Sequence, residues 1–252
     1  MKYISYTELE KAFDVGKDNV DRLLKDSKHL YEQTKYPNSI ALSILSYEEI
    51  AKLHFIVQHQ IEKKDIMKTE WKNISSAGSH EKKLTAIYID AHKKTQKMSK
   101  EQYESIIKSE KKLGSNIPYR TFEENNKISG MITKRLAKLN LIKQYCWYLE
   151  ITNKEFVTIS EIYNKNNLRV LSYWLLNVAH LEFLTILLGK KFPNYWMWTI
   201  PAEVSLLRKD PLYLAIQTIT KEIYSKQFTD VSTRVAIMID TFPKRLEDLP
   251  KK

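Results

Sequence analysis

Apolar residues recur along this chain mostly three and four positions apart, which is the spacing of an amphipathic helix. The pattern predicts helices over roughly 6–33, 39–63, 65–75, 80–97, 121–143, 170–189, 202–226 and 229–242. Polar residues at the predicted starts are candidate N-caps, namely Asn38 or Ser39, Ser79, and Ser160 or Asn167. The lysine-rich stretch 98–120 fits a loop, a mobile helix or a boundary, and 144–157 fits a short extended connection.

The composition strengthens the prediction of an all-α protein. The chain has 252 residues, of which only 5 are Gly and 7 are Pro, whereas all-β proteins need many turns. Hydrophobic residues make up 43% of the chain, which is enough for one large domain, or one domain with a sizeable extension.

The single cysteine, Cys146, excludes a disulfide within the chain and fits the reducing cytoplasm. Because it lies between Tyr145 and Trp147, we expect a buried thiol rather than a nucleophile. The N-terminus does not resemble a signal peptide, since charged residues interrupt it before an apolar run forms.

The most apolar run, 170–189, approaches the length of a membrane span. Asn177, His180 and Glu182 interrupt it, and each is costly at the centre of a bilayer. We therefore expect a buried core helix with His180 as a core histidine, and no stable membrane insertion; membrane contact through 170–198 is the alternative.

The formal net charge of +11 favours anionic partners such as nucleic acid, although solvated lysine-rich helix faces would give the same balance. Lysine greatly outnumbers arginine, and arginine is the usual residue for reading bases or binding phosphate in a bidentate manner. Any contact with nucleic acid is therefore expected to involve mainly its backbone.

The second predicted helix carries charges inside an apolar run, where burial is costly unless they pair or take part in chemistry. Glu48 and Lys52 are four apart, so they share a helix face and can pair, with Glu49 beside them. The pair is either an ordinary surface ion pair or a partly buried one between helices, which could orient His80, fix a helix crossing or act on a phosphate.

His80 and Lys83 open the helix predicted over 80–97. Free N–H groups at a helix N-terminus attract anions, and a histidine titrating near neutral pH can act as a general acid or base. An exposed histidine near the cap, without function, is the alternative. Since no HExxH, CxxC, Walker or GxGxxG motif is present, we expect no metal and no cofactor.

Glu48, Glu49 and Lys52 in SYEEIAKLHF, followed by His80 and Lys83 in SHEKKL, resemble the AbiV family of bacterial abortive-infection proteins. The preceding YPNSIALSIL resembles the second-helix entry of HEPN domains, the wider helical class to which AbiV belongs. QYCWYLEI resembles a later tyrosine-bearing segment of the family. The resemblance covers roughly residues 10–165.

This resemblance implies an up-and-down helical bundle, which we expect over 1–150. The residues after it carry no motif that matches the family, and we expect them to form a C-terminal helical extension over 151–252 packed on the bundle. It also implies a homodimer and a role in stopping phage multiplication. Many HEPN domains are metal-independent ribonucleases with an R-x(4–6)-H motif on a late helix. The only formal match here, Arg22 to His29, lies on the first helix, where two turns separate the residues by about 10 Å.

The first functional hypothesis is a cytoplasmic abortive-infection protein that acts on RNA or the translation machinery. For cleavage of RNA it assigns His80 as acid or base, and Glu48 and Glu49 as groups that position Lys52 and Lys83. The phosphate ligands would be Lys52, Lys82 and Lys83. The second hypothesis is a non-catalytic protein that binds a phage or host partner, in which the charged cluster only braces the bundle.

Overall fold

Helices make up most of the computed structural model, which describes residues 3–76, 80–85, 99–112, 122–147, 150–152, 155–193, 209–223 and 226–247. The helices are α1 (Tyr6–Glu32), α2 (Tyr36–Ile61), α3 (Lys68–Ser75), α4 (Lys100–Lys112), α5 (Phe122–Trp147), α6 (Ile159–Ile162), α7 (Lys165–Lys191), α8 (Pro211–Ile223) and α9 (Lys226–Glu247). Residues 80–85 are helical as well. The predicted all-α fold is confirmed.

Two antiparallel strand pairs add little to the bundle. β1 (Tyr3–Ile4) pairs with β2 (Ile66–Met67), and β3 (Glu150–Thr152) pairs with β4 (Glu155–Val157). The second pair lies within the predicted extended connection 144–157, but residues 144–147 still belong to α5. The first pair was not predicted, because two-residue strands leave no periodic signal.

The turn between α1 and α2 falls earlier than predicted. α1 starts with a capping box between Ser5 and Glu8. It ends before Thr34, whose positive φ of 61° reverses the chain. α2 then begins at Tyr36 with proline in its first turn and no side-chain cap, so the prediction of Asn38 or Ser39 as N-cap is wrong. Proline is tolerated there because a first-turn N–H has no partner within the helix.

Helices α1, α2 and α7 meet around a buried group of serines. The Ser39 hydroxyl donates to the backbone oxygen of Ser27 at 2.8 Å, and the Ser172 hydroxyl donates to the Ser39 hydroxyl oxygen at 2.7 Å. Ser43 completes the group, with its Oγ 2.7 Å from that of Ser27. Small side chains allow the three helix backbones to approach closely, and each hydroxyl finds its partner inside the group.

α7 runs antiparallel to α1. The Tyr173 ring lies 6.2 Å from that of Tyr31 near one end, and Lys190 Nζ lies 2.7 Å from Glu10 near the other. Its N-cap is Asn164, whose side chain accepts from a backbone N–H, so the prediction of Ser160 or Asn167 as the cap is wrong. α6 is likewise preceded by Thr158 as its N-cap.

The apolar run predicted over 170–189 forms the central part of α7. Within the described part of the chain, α7 is the one helix long and apolar enough to cross a membrane, judged by length and composition. It nevertheless contributes Leu171, Leu175 and Ala179 to the core shared with α1 and α2. His180 is exposed, so its prediction as a core histidine is wrong: it follows Ala179 on the helix and lies on the adjacent, outer face.

The C-terminal helices pack on α5 and α7. Asp240 of α9 accepts from Arg135 at 2.9 Å and from Lys138 at 3.3 Å. Tyr163 donates to the backbone oxygen of Met238 at 2.5 Å. One buried cluster includes residues from Leu9 to Leu246. The division into 1–150 and 151–252 stays a prediction.

The remaining helix predictions differ from the structure mainly at their ends. α5 continues to Trp147, past the predicted end at 143, and α9 continues to residue 247, past the predicted end at 242. α8 covers 211–223, and residues 202–208 and 224–225 of the helix predicted over 202–226 lie outside the described residues. Of the predicted loop, mobile helix or boundary at 98–120, residues 100–112 are helical. Residues 113–120, the Ser79 cap and the part of helix 80–97 beyond residue 85 lie outside the described residues.

Candidate functional site

Glu48 is the most deeply buried ionisable residue of the candidate site, with only 1% of its side chain exposed. It lies in the middle of α2, whose flanking residues Ile44, Ile50 and Ala51 are also buried. α2 is covered by α1, α7 and α5, which leaves its middle turns little solvent-facing surface. A carboxylate in this position requires partners, because transfer of an unpaired charge out of water is costly.

Two side chains from other segments bind the Glu48 carboxylate. His80 Nδ1 lies 2.7 Å from Oε2, and Lys143 Nζ of α5 lies 2.5 Å from Oε1. Each carboxylate oxygen therefore has its own donor, which is the arrangement that makes a buried charge tolerable. The cluster also joins three parts of the chain: α2, the helical segment 80–85 and α5.

The contacts determine which imidazole nitrogen of His80 carries the proton. An ionised carboxylate only accepts hydrogen bonds, so the Nδ1 atom beside Glu48 must be the protonated one. The 3.1 Å separation between Lys143 Nζ and Nδ1 is then a contact between two donors that share one carboxylate. In the neutral ring, Nε2 therefore carries the lone pair, on a side chain that is 35% exposed. His80 thus has the tautomer and the access that a general base requires.

Lys52 pairs with Glu49 rather than with Glu48, so the predicted Glu48–Lys52 pair is wrong. Lys52 Nζ lies 2.6 Å and 2.9 Å from the two carboxylate oxygens of Glu49. Residues three apart on a helix are neighbours as much as residues four apart, so spacing alone does not choose between them. The Glu48 carboxylate binds His80 and Lys143, whereas the Glu49 side chain is more exposed to solvent.

Lys83 is nearly as buried as Glu48, with 4% of the residue exposed. Its ammonium makes no hydrogen bond and no ion pair with any residue in the described ranges. Burial, and then the nearby Lys52 ammonium, lower the pKa of Lys83; Glu48 and Glu49 oppose this and Lys143 adds to it. A cation on a buried residue, with no ion pair to any described residue, raises the electrostatic potential of the site and favours an anionic ligand.

Lys143 is the site residue that sequence reasoning missed. It precedes the aromatic segment QYCWYLEI, and one lysine among many carries no local sign of a distant partner. Its side chain is mostly buried beside Glu48. Its position on the helix could have indicated partial burial. Leu139 and Ile142 are buried core residues of α5, so Lys143 lies at the edge of the side that faces the core.

Other candidate residues lie apart from this cluster. Lys82 is exposed, whereas Lys83 beside it is buried, because consecutive residues on a helix point in different directions. Arg22 donates to Asp26 and Asn19 on its own helix. His29 contacts Gln33, so the formal R-x(4–6)-H match consists of two residues engaged with separate neighbours on α1.

Metal and thiol chemistry receive no support from the described ranges. Within them, no group of three or more His, Cys, Asp and Glu residues is arranged to hold a metal ion. Burial raises the pKa of the Cys146 thiol, which keeps it protonated and poorly nucleophilic. The candidate chemistry of the described site therefore rests on the glutamates, the lysines and His80.

A comparison with protein-family models gives a match over most of the chain. The HEPN_AbiV model, described as AbiV, matches residues 8–171, which is more than half of the chain. The chain belongs to the AbiV family. All six residues of the candidate site lie inside the matched range: Glu48, Glu49, Lys52, His80, Lys83 and Lys143. Searches of curated proteins and of solved structures gave no significant match.

Membership of this family identifies a HEPN-type protein of the abortive-infection class. The helical bundle agrees with that assignment, since α2, α5, nearly all of α1 and the start of α7 lie within the matched residues. The helical extension beyond residue 171 lies outside the family match.

Proposed function

We propose that this AbiV-family protein acts in phage defence as a metal-independent endoribonuclease. The observation that carries the proposal is the contact between buried Glu48 and His80 Nδ1, at 2.7 Å. A carboxylate that holds one ring nitrogen fixes the orientation of the imidazole and leaves the other nitrogen free to accept a proton. This is the requirement for a general base.

In the proposed reaction, His80 Nε2 removes the proton from an RNA 2′-hydroxyl. The 2′-oxygen attacks the adjacent phosphorus, and the 5′-oxygen leaves and takes up a proton, which gives a 2′,3′-cyclic phosphate and a 5′-hydroxyl end. Since the nucleophile belongs to the substrate, the reaction requires no metal-bound water. Glu48 stabilises the imidazolium that forms on His80.

The charge of the site supports a phosphodiester substrate. Lys52, Lys83 and Lys143 outnumber the two glutamates that pair with them or lie near them. The excess positive charge would stabilise the negative charge that develops on the phosphoryl oxygens. Lys82, which is exposed and lies outside the cluster, would contact a flanking phosphate, and the net charge of +11 favours association with RNA.

A second candidate function is non-catalytic binding of a phage or host partner. The observation in its favour is that Glu48 links α2 to α5 through Lys143 and to the helical segment 80–85 through His80. A cluster of this kind stabilises a helix crossing whether or not it has any chemistry. Under this alternative, His80 matters only for the stability of the bundle.

Expression in bacteria separates the two functions. Wild type should degrade cellular RNA and slow growth, and His80→Ala should do neither while remaining folded by circular dichroism. His29→Ala is the matched control, because His29 is exposed on α1 and contacts Gln33. Equal RNA loss and equal toxicity from wild type and His80→Ala would remove His80 from the mechanism. An unfolded His80→Ala protein would support the bracing role.

A further inference from the structure

Lys83 differs from the other lysines around Glu48 in having no described partner for its ammonium protons. Lys52 binds both oxygens of Glu49, and Lys143 binds Glu48. Lys83 is buried at 4% exposure and has no hydrogen bond or ion pair with any residue that the structure describes. An ammonium on a buried residue, with no hydrogen bond to any described residue, has protons available for an incoming group.

Lys83 also has a fixed relation to His80. Both lie on the helical segment 80–85, three residues apart, so they share a face with Cβ atoms about 5–6 Å apart. Cleavage of RNA needs a base at the attacking 2′-oxygen and an acid at the departing 5′-oxygen, on opposite sides of phosphorus. Two side chains one helical turn apart can flank a single phosphate in this way.

His80 is poorly suited to serve as both groups in one step. Its Nδ1–H is held by Glu48, so Nε2 is the one ring nitrogen that can exchange a proton with substrate. Once Nε2 is engaged with the 2′-hydroxyl, the 5′-oxygen must receive its proton from another group. Lys52 and Lys143 donate to carboxylates, which leaves Lys83 among the described lysines of the site.

We propose that Lys83 is the general acid that protonates the leaving 5′-oxygen, an assignment that rests on the ribonuclease function proposed above. His80 Nε2 takes the proton of the 2′-hydroxyl as the bond from the 2′-oxygen to phosphorus forms. The bond from phosphorus to the 5′-oxygen breaks, and a Lys83 Nζ proton moves to that oxygen. Exchange of both side chains with water restores neutral His80 and protonated Lys83.

The electrostatic surroundings favour this role. Burial, and then the Lys52 ammonium on α2, lower the pKa of Lys83, and Lys143 on α5 acts in the same direction. Glu48 and Glu49 on α2 oppose them without reversing the shift. A lysine with a lowered pKa releases its proton more readily than an ordinary lysine, which brings it closer to the range in which general acids work efficiently.

The competing role for Lys83 is a passive phosphate ligand, and an activated substrate separates the two. Uridine 3′-(p-nitrophenyl phosphate) carries a leaving group that departs without protonation. Purified full-length wild type, Lys83→Met and Lys83→Arg should be assayed on this ester and on RNA. Arginine keeps the positive charge but does not give up its proton. Lys25→Met is the control, because Lys25 is exposed on α1 and paired with Asp21.

If Lys83 is the general acid, its substitution should greatly slow the cleavage of RNA and only slightly slow the cleavage of the ester. Both Lys83 variants should cleave RNA about 100-fold or more slowly than wild type, since general acid catalysis contributes about 10²–10⁴-fold. Their rates of ester cleavage should fall by less than about tenfold relative to wild type. Equal losses on both substrates would overturn the acid role and leave the ribonuclease function intact. Wild type that cleaves neither substrate would overturn both.

Wild type alone supplies a second test that does not depend on the folding of a variant. The rate on RNA should fall at alkaline pH as Lys83 loses its proton, whereas the rate on the ester should not. The same alkaline fall for both substrates would overturn the assignment. Circular dichroism of each variant distinguishes lost chemistry from lost structure.

Discussion

Glu48 of α2 and Lys143 of α5 lie 95 positions apart in the chain, yet their side chains meet with 2.5 Å between Oε1 and Nζ. The same carboxylate binds His80, so a single buried group joins two helices and orients the candidate base. This double role separates two effects of substitution. Removal of the Glu48 charge alone should lower both stability and activity. Removal of the Lys143 charge as well should restore stability but not activity.

Glu48→Gln keeps the shape of the side chain but removes the counterion of Lys143. We expect the free energy of unfolding to fall by about 3–5 kcal/mol, as when one partner of a buried pair is lost. Cleavage of RNA should fall at least 100-fold, on the order seen when the residue orienting a catalytic histidine is changed. Urea unfolding and an RNA cleavage assay measure the two quantities.

The double variant Glu48→Gln/Lys143→Met is the control for this prediction. Removal of both charges relieves the unpaired cation, so much of the lost stability should return while activity stays low. Recovery of activity together with stability would mean that the pair only braces the bundle.

Lys83→Met should stabilise the protein at neutral pH and do so less as pH rises. The folded pKa of Lys83 lies below its ordinary value of 10.5, mainly through burial, so the unfolded chain binds more protons between those two values. The free energy of unfolding of wild type therefore increases relative to that of the variant as pH rises between those two pKa values. Urea unfolding at neutral pH and near pH 10 measures the difference; an unchanged or growing difference would contradict the account.

Predictions from sequence were correct where the structure depends on the residues of one short segment. The apolar run around Glu48 and Glu49 was correctly predicted as a helix, and the expected approach of His80 to a glutamate is present. Local spacing did not separate Glu49 from Glu48 as the partner of Lys52, because both lie within one turn. It also could not identify Lys143, whose partner is far away in the chain. His180 was misplaced because apolar neighbours on a helix do not show which face is covered.

The serine group between α1, α2 and α7 should contribute measurably to stability. Ser39→Ala leaves the buried Ser172 hydroxyl without its acceptor and removes the bond to the Ser27 backbone oxygen. An unsatisfied buried hydroxyl costs about 1–3 kcal/mol, and we expect a loss of that size by urea unfolding. Ser105→Ala, at an exposed position on α4, should change stability by less than about 0.5 kcal/mol. Equal effects of the two substitutions would contradict the assigned role of the serine group.

Asp240 should couple the C-terminal helix to α5 in a pH-dependent way. Burial alone would raise the pKa of Asp240, but hydrogen bonds from Arg135 and Lys138 outweigh it and lower the pKa. The contribution of Asp240 to the free energy of unfolding is therefore fully present above the ordinary Asp pKa. It is lost as pH falls through the pKa of Asp240 in the folded protein. Asp240→Asn should cost about 1 kcal/mol or less at neutral pH, because the pair is partly exposed. The difference from wild type should vanish in acid; a difference that persists or grows there would contradict this assignment.

The central claim is that His80, held by Glu48, cleaves RNA without a metal. The most direct measurement is the chemistry of the RNA ends made by purified wild type and by folded His80→Gln in the presence of a chelator. We expect fragments ending in 2′,3′-cyclic phosphate from wild type and intact RNA from the variant. Equal cleavage by both proteins, or intact RNA with wild type, would contradict the claim.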